Sequence, residues 1–159
     1  MKPGLAIEEL HRSENHLAGA LLAMSDRHKA DHEVFHVARD IARWSQDHVR
    51  ALSDIAKDVG LDLDPEPGGD PTILEKTRQK ASDLMGRRPE PGLLLADLRH
   101  IHREASGTSR DWELVAQGAR GARKRQLLES AERCHPETLR QVRWANGKLE
   151  ESAIQVLVS

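Results

Sequence analysis

The chain has 159 residues, 31% of them charged and a net charge of −2, which suits one domain and gives no general attraction to nucleic acid or anionic lipid. No run of about 18 apolar residues occurs, and no apolar segment follows an N-terminal basic stretch, so we expect neither a membrane span nor a secretory signal. The single cysteine, Cys134, excludes an internal disulfide and suits the reducing cytoplasm, which is the expected location.

Four amphipathic helices are predicted, because apolar residues recur every three or four positions and no segment alternates as a strand does. They cover residues 5–28, 31–59, 92–120 and 124–157. The first helix is the most regular, with an inward stripe formed by Ile7, Leu10, Glu14, Leu17, Leu21, Met24 and His28. In the fourth helix the expected inward residues are Leu139, Val142, Asn146, Leu149, Glu150 and Ala153.

Two breaks rich in Pro and Gly interrupt this pattern. GLDLDPEPGGDP begins at Gly60 and ends the second helix, and GRRPEPG precedes the third helix. Between these breaks PTILEKTRQKASDLM, with Pro71 at a first helical position, predicts a short extra helix within the connection 60–91. Two helix pairs joined by one long crossover predict an all-α four-helix bundle that forms a single domain over the whole chain.

The boundary between the third and fourth helices has two possible positions. GARGARKR at 118–125 contains two glycines and four cations, which favours a turn there. The alternative is a break at 134–136, because Pro136 either starts a helix or kinks one.

A polar layer at the centre of the bundle is the main candidate site. With a turn near residues 29–30, Glu14 and His48 lie within about one helical turn of each other on the inner stripes of their helices. The same counting places His102 level with about residue 142, close to Asn146, and Glu150 belongs to the same polar layer. Histidine and carboxylate side chains suit zinc, iron or manganese. The candidate metal set is therefore Glu14, His48, His102 and Glu150, and the competing interpretation is a buried Glu14–His48 pair without metal.

The chain resembles the ferritin-like superfamily in its bundle architecture and in the texture of the second helix and of DWELVAQGARGARKRQLLESAERCHPETLRQVRW. The resemblance, to small bacterial ferritin-like proteins, implies a bundle with one long crossover. Di-iron members use one Glu from each of two helices and an E-x-x-H from each of the others. Glu14 corresponds to one such Glu, but Ser45 stands three residues before His48, so the motif is incomplete. HVRAL also resembles hemerythrin-like proteins, although Leu52 stands where they carry Glu.

Three histidines spaced four residues apart flank the first turn. His28 falls on the inward stripe of the first helix, whereas His32 and His36 lie on the outer face of the second. An i, i+4 histidine pair is able to bind a transition metal, so His32 and His36 are a surface alternative to the core metal set. The competing interpretation is a solvated face.

Interaction partners are indicated only by apolar residues off the inner stripes. Trp144 and Leu22 lie off these stripes, which predicts a possible homodimer through a bundle face. Nucleic acid is not an expected partner, because the chain has three Trp, one Phe and no Tyr. No catalytic motif is evident, which favours a non-enzymatic binding or scaffold protein. The alternative is a metal-binding protein or metal-dependent oxidoreductase with a mononuclear His/Glu site in the core.

Overall fold

Four α-helices form most of the chain in the computed structural model, which describes residues 2–68 and 90–159. Helix α1 spans Pro3–Arg27, α2 His32–Ala56, α3 Pro91–Gly121 and α4 Arg125–Val158. A 3₁₀ turn, Lys57–Val59, extends α2. Within the two described ranges there is no strand, and the predicted all-helical class is confirmed. Each helix begins and ends within three residues of its predicted bounds.

Local residues explain several of the helix ends. Asp31 caps α2, because its side chain accepts a hydrogen bond from the backbone N–H of Val34 at 3.1 Å. Gly60, with φ of 77°, closes the 3₁₀ turn in the left-handed conformation that glycine adopts most easily. The boundary between α3 and α4 falls at 122–124, and Pro136 lies inside α4. The break is therefore at the glycine-rich position, not at the proline.

The relative directions of the helices follow from which residues meet at different positions along the bundle axis. Glu14 meets Trp112 and Arg27 meets Asp97, so α1 and α3 are antiparallel. The contacts of α2 with α1 and with α4 also join the early part of one helix to the late part of the other, so both of these helix pairs are antiparallel. Since α2 and α3 consequently point the same way, their connection has to run the length of the bundle.

From the end of α2, the described part of this connection runs alongside α1 in the direction from His11 to Asn15. The backbone carbonyl of Asp64 lies 2.8 Å from His11 Nε2, and the backbone N–H of Gly68 donates to Asn15 Oδ1 at 2.8 Å. The short helix predicted after Pro71 lies outside the described residues. These contacts place residues 61–68 beside the helix that carries Glu14.

The core runs along the inner faces of the four helices, and α1 forms its most regular wall. All seven residues of the predicted α1 stripe are buried. Each helix packs against two neighbours: α1 and α4 each contact both α2 and α3. Of these four neighbouring pairs, α2 and α4 have the sparsest packing. None of the helices described is long and apolar enough to cross a membrane.

The inner face of α4 is rotated by one residue from the predicted stripe. Its buried residues from position 138 onward are Thr138, Gln141, Ala145, Lys148 and Ser152. The prediction that Asn146 and Glu150 point inward is wrong, because both are exposed and bond to each other at 3.0 Å. Leucine and valine were expected to mark the core, but α4 turns mainly polar side chains inward to meet polar groups on the facing helices.

The two off-stripe apolar residues belong to the core of this chain. Trp144 and Leu22 are both partly buried and pack against the cluster around Leu21, Met24 and Ile41. They form no exposed patch, so the observation that suggested a homodimer no longer supports one.

Candidate functional site

A buried carboxylate–histidine pair lies in the core between α1 and α2. Glu14 has no exposed surface, and His48 is 1% exposed. The Nδ1 atom of His48 donates a hydrogen bond to Glu14 Oε1 at 2.8 Å. The prediction that the two residues meet in the core is confirmed, because the antiparallel helices place them at the same height.

Glu14 collects three side-chain donors on a single oxygen. Besides His48, Trp112 Nε1 donates to Oε1 at 2.7 Å and Thr138 Oγ1 donates at 3.4 Å. The indole ring of Trp112 also meets the His48 ring edge-on, with centroids 5.6 Å apart. Oε2 of Glu14 is buried and has no hydrogen-bond partner among the described residues. One oxygen is therefore saturated and the other is left without a donor.

The opposite side of the His48 ring faces α4. Its Nε2 atom donates to Glu137 Oε1 at 3.1 Å, and the Glu137 side chain is 29% exposed. An ionised carboxylate can only accept, so with Glu14 and Glu137 ionised both ring nitrogens carry protons and the ring is an imidazolium. The buried cation thus lies between two carboxylates.

The surroundings stabilise the charged form of this ring. Burial by itself lowers the pKa of His48, but its interactions with the neighbouring Cys134 and with the Glu14 carboxylate outweigh burial and raise the pKa to about 11. We expect His48 to stay protonated throughout the neutral range.

A second polar contact lies one turn further along α4. Gln141 Nε2 donates to the backbone carbonyl of Ile41 at 2.8 Å and to Ser45 Oγ at 2.9 Å. Ser45 occupies the position where an E-x-x-H motif ending at His48 would carry its glutamate. Because the Ser45 hydroxyl accepts a hydrogen bond from Gln141, this position links α2 to α4.

The structure brings together two of the four predicted metal ligands. His102 is partly buried on α3, ten residues from Trp112, which corresponds to about 15 Å along the helix. Glu150 is exposed and bonds to Asn146. Across residues 2–68 and 90–159, no group of three or more His, Cys, Asp or Glu side chains is arranged to hold a metal ion.

The arrangement around Glu14 and His48 does not fit a metal centre. A metal ligates histidine through a nitrogen lone pair, whereas both nitrogens of His48 donate protons to carboxylates. The oxygen of Glu14 nearest the ring already accepts three hydrogen bonds. Iron, zinc or manganese would have to displace a proton and rearrange these bonds.

A second carboxylate–histidine pair lies near the turn between α1 and α2. His28 Nε2 bonds to Asp97 Oδ2 at 2.7 Å, and Arg27 donates to both oxygens of Asp97 at 2.9 and 2.7 Å. These three side chains, the Asp97 cluster, are 6–13% exposed. The prediction that His28 faces inward is confirmed, and its bond ties the end of α1 to the start of α3.

The other two histidines of this region remain on the surface. His32 and His36 are both exposed at the start of α2, as the outer-face prediction required, and their ring centroids are 5.8 Å apart. They make no contact with the core pair.

Several members of the core site were not foreseen. The role of Trp112 as donor to Glu14 was not predicted, although a buried indole N–H regularly needs an acceptor. Thr138 and Gln141 were missed because the predicted stripe of α4 was one residue off, and Glu137 lies one turn before Gln141. Their spacing of one, three and four positions is the signal that could have identified a polar helix face.

Comparisons with protein-family models, curated proteins and solved structures found no match to this chain.

Proposed function

We propose that this chain is a ferritin-like four-helix bundle acting as a non-enzymatic binding or scaffold protein, with an ion pair where di-iron members of that superfamily hold metal. The fold part is supported by the single crossover between parallel α2 and α3 and by Glu14 on the inner face of α1. The functional part rests on one observation: both ring nitrogens of His48 point at carboxylates.

That observation favours a structural role through its proton balance. A buried cation is tolerated when carboxylates compensate it, and His48 has two within 3.1 Å. Metal binding needs the neutral imidazole, which is scarce at neutral pH because the pKa of His48 is raised to about 11. The pair therefore holds α1, α2 and α4 together in its resting state, without a metal.

Metal loading tests this proposal. Protein purified without a histidine tag is incubated with Fe²⁺, Zn²⁺ or Mn²⁺ and desalted through a weak chelator, beside His48→Gln as the matched variant. We expect no metal that depends on His48, so the wild type and His48→Gln should retain equal amounts of each metal. Close to one equivalent in the wild type that His48→Gln loses would overturn the proposal.

Nitrogen-15 NMR of the histidine rings tests the proton balance directly. His48 should show two protonated ring nitrogens from pH 7 to 9, whereas the exposed His16 on α1 serves as the reference for an ordinary ring. A neutral tautomer at His48 at pH 8 would remove the observation on which the proposal rests.

The alternative is a metal-binding protein or metal-dependent oxidoreductase with a mononuclear core site. One observation favours it: Glu14 Oε2 is buried without a partner among the described residues, and a cation would satisfy it. This function requires His48 to lose a proton on binding. Metal that is lost in both His48→Gln and Glu14→Gln, with proton release in calorimetry, would support this alternative.

A further inference from the structure

The outer face of α2 carries a pair of histidines that the core site does not use. His32 and His36 are one helical turn apart, and both side chains are exposed. Their ring centroids are 5.8 Å apart and the planes are inclined by 43°. In the described part of the chain neither ring makes a hydrogen bond, so ring nitrogens are available to an external ligand.

We propose that His32 and His36 form a surface site for one divalent transition-metal ion, which binds Cu²⁺ more tightly than Zn²⁺ or Mn²⁺. The site is separate from the core pair and does not depend on the function proposed for it. Imidazole nitrogen is a ligand common to copper, nickel and zinc, and affinities for such ligands rise from Mn²⁺ to Cu²⁺.

The observed ring separation is close to that of a chelate. A metal–nitrogen bond of about 2.0–2.1 Å places the ion about 3.2 Å from each ring centroid, so ligand angles of 90–109° need centroids roughly 4.5–5.2 Å apart. The rings of His32 and His36, at 5.8 Å, must approach by about 1 Å. Small rotations about the side-chain torsions of two exposed residues supply that movement.

The neighbouring side chains pack against one ring and set the charge around the site. Phe35 packs edge-on against the His36 ring, with centroids 4.9 Å apart, and Arg39 lies 5.3 Å from the centroid of Phe35. Asp40 follows His36 by one turn but pairs with Arg43 at 3.5 Å. The two imidazoles are therefore the protein ligands, and water fills the remaining coordination positions.

Copper titration of the whole chain, purified without a tag, tests the site. We expect one equivalent of Cu²⁺ by calorimetry and coupling to two nitrogens in its electron paramagnetic resonance spectrum. His32→Ala and His36→Ala should each weaken binding at least about tenfold, because one ligand no longer chelates. The control His16→Ala removes an exposed histidine of α1 and should change nothing.

Three results would overturn the site: no binding at tens of micromolar Cu²⁺, binding unchanged in the double variant His32→Ala/His36→Ala, or equal loss in His16→Ala. Both positions are exposed, so the double variant should fold, and its circular dichroism checks this. His48→Gln separates this site from the core. Copper retained in His48→Gln and lost in the double variant supports the surface site, whatever iron or manganese does in the core.

Discussion

The Glu14–His48 and Asp97–His28 hydrogen bonds are nearly equal in length, but the charged groups around them have opposite compositions. Glu14 and His48 are 2.8 Å apart in the core, and Asp97 and His28 are 2.7 Å apart near the first turn. In the core pair one imidazolium lies between two carboxylates. In the Asp97 cluster one carboxylate lies between the His28 ring and the Arg27 guanidinium. The third partner therefore distinguishes them.

The third partner also decides how each pair responds to pH. Burial raises the pKa of Asp97, but hydrogen bonds from His28 and Arg27 and the charge of Arg27 outweigh burial and lower it. The pKa of His48 moves upward from its ordinary value. The Glu14–His48 pair therefore loses its stabilisation at high pH, whereas the Asp97 cluster loses its stabilisation at low pH.

Removing Glu14 should have the largest effect. Glu14→Ala leaves the buried His48 cation and the Trp112 N–H without their acceptor, so we expect a loss of about 3–5 kcal/mol in the free energy of unfolding. Urea denaturation measures it. Glu14→Gln keeps the shape of the side chain and should cost less. A loss below about 1 kcal/mol in Glu14→Ala would mean that the core pair contributes little.

The pH dependence of His48 should give the next largest effect. Its pKa is about 11 in the folded protein, against an ordinary value of 6.5, so its stabilisation is fully present below 6.5 and is lost as the pH rises through about 11. In that interval the free energy of unfolding should fall progressively as the pH rises.

Unfolding of the wild type and of His48→Gln across pH 6–11 measures this difference. The chain has no tyrosine, and lysine titration is common to both proteins; making the comparison in a Cys134→Ser background removes the neighbouring thiol, so the remaining difference reports His48. Parallel curves for the two proteins would contradict the raised pKa of His48.

The smallest of the three effects is expected at Asp97, which is 12% exposed. Asp97→Asn removes the acceptor of Arg27 and His28 and should cost about 1–3 kcal/mol at neutral pH. Because the folded pKa of Asp97 is lowered, its stabilisation is present above the ordinary value of 3.8 and is lost as the pH falls through the folded pKa.

A matched exposed pair provides the control for Asp97. Asp40 pairs with Arg43 at 3.5 Å, and both side chains are at least 66% exposed, so Asp40→Asn should change stability by about 0.5 kcal/mol or less. If Asp97→Asn cost more than Glu14→Ala, burial would not be what separates the two pairs.

The spacing of apolar residues correctly predicted the inward face of a helix where single polar residues lie within an apolar stripe. Glu14 could be placed in the core because leucine, isoleucine and methionine surround it at three- and four-residue steps in α1. Counting the helical rise from the first turn then placed His48 beside it. Both inferences use local patterns and one turn position.

Helix α4 could not be predicted in this way, because its inner face is mostly polar. Val142 and Leu149 are only partly buried, while Gln141 and Lys148 are buried. Which side of such a helix faces inward depends on partners in distant segments. For Gln141 these are Ile41 and Ser45 on α2, which the pattern within α4 does not reveal.

The sparse packing between α2 and α4 has a consequence for helix register. Three polar contacts bridge this pair at successive heights: Lys148–Glu33 at 2.6 Å, Gln141–Ser45 at 2.9 Å and Glu137–His48 at 3.1 Å. Sliding α4 by one turn, about 5.4 Å, would separate all three contacts at once. Apolar side chains would find similar neighbours after such a slip, but buried polar groups would not. The polar face of α4 thus selects a single alignment of the two helices.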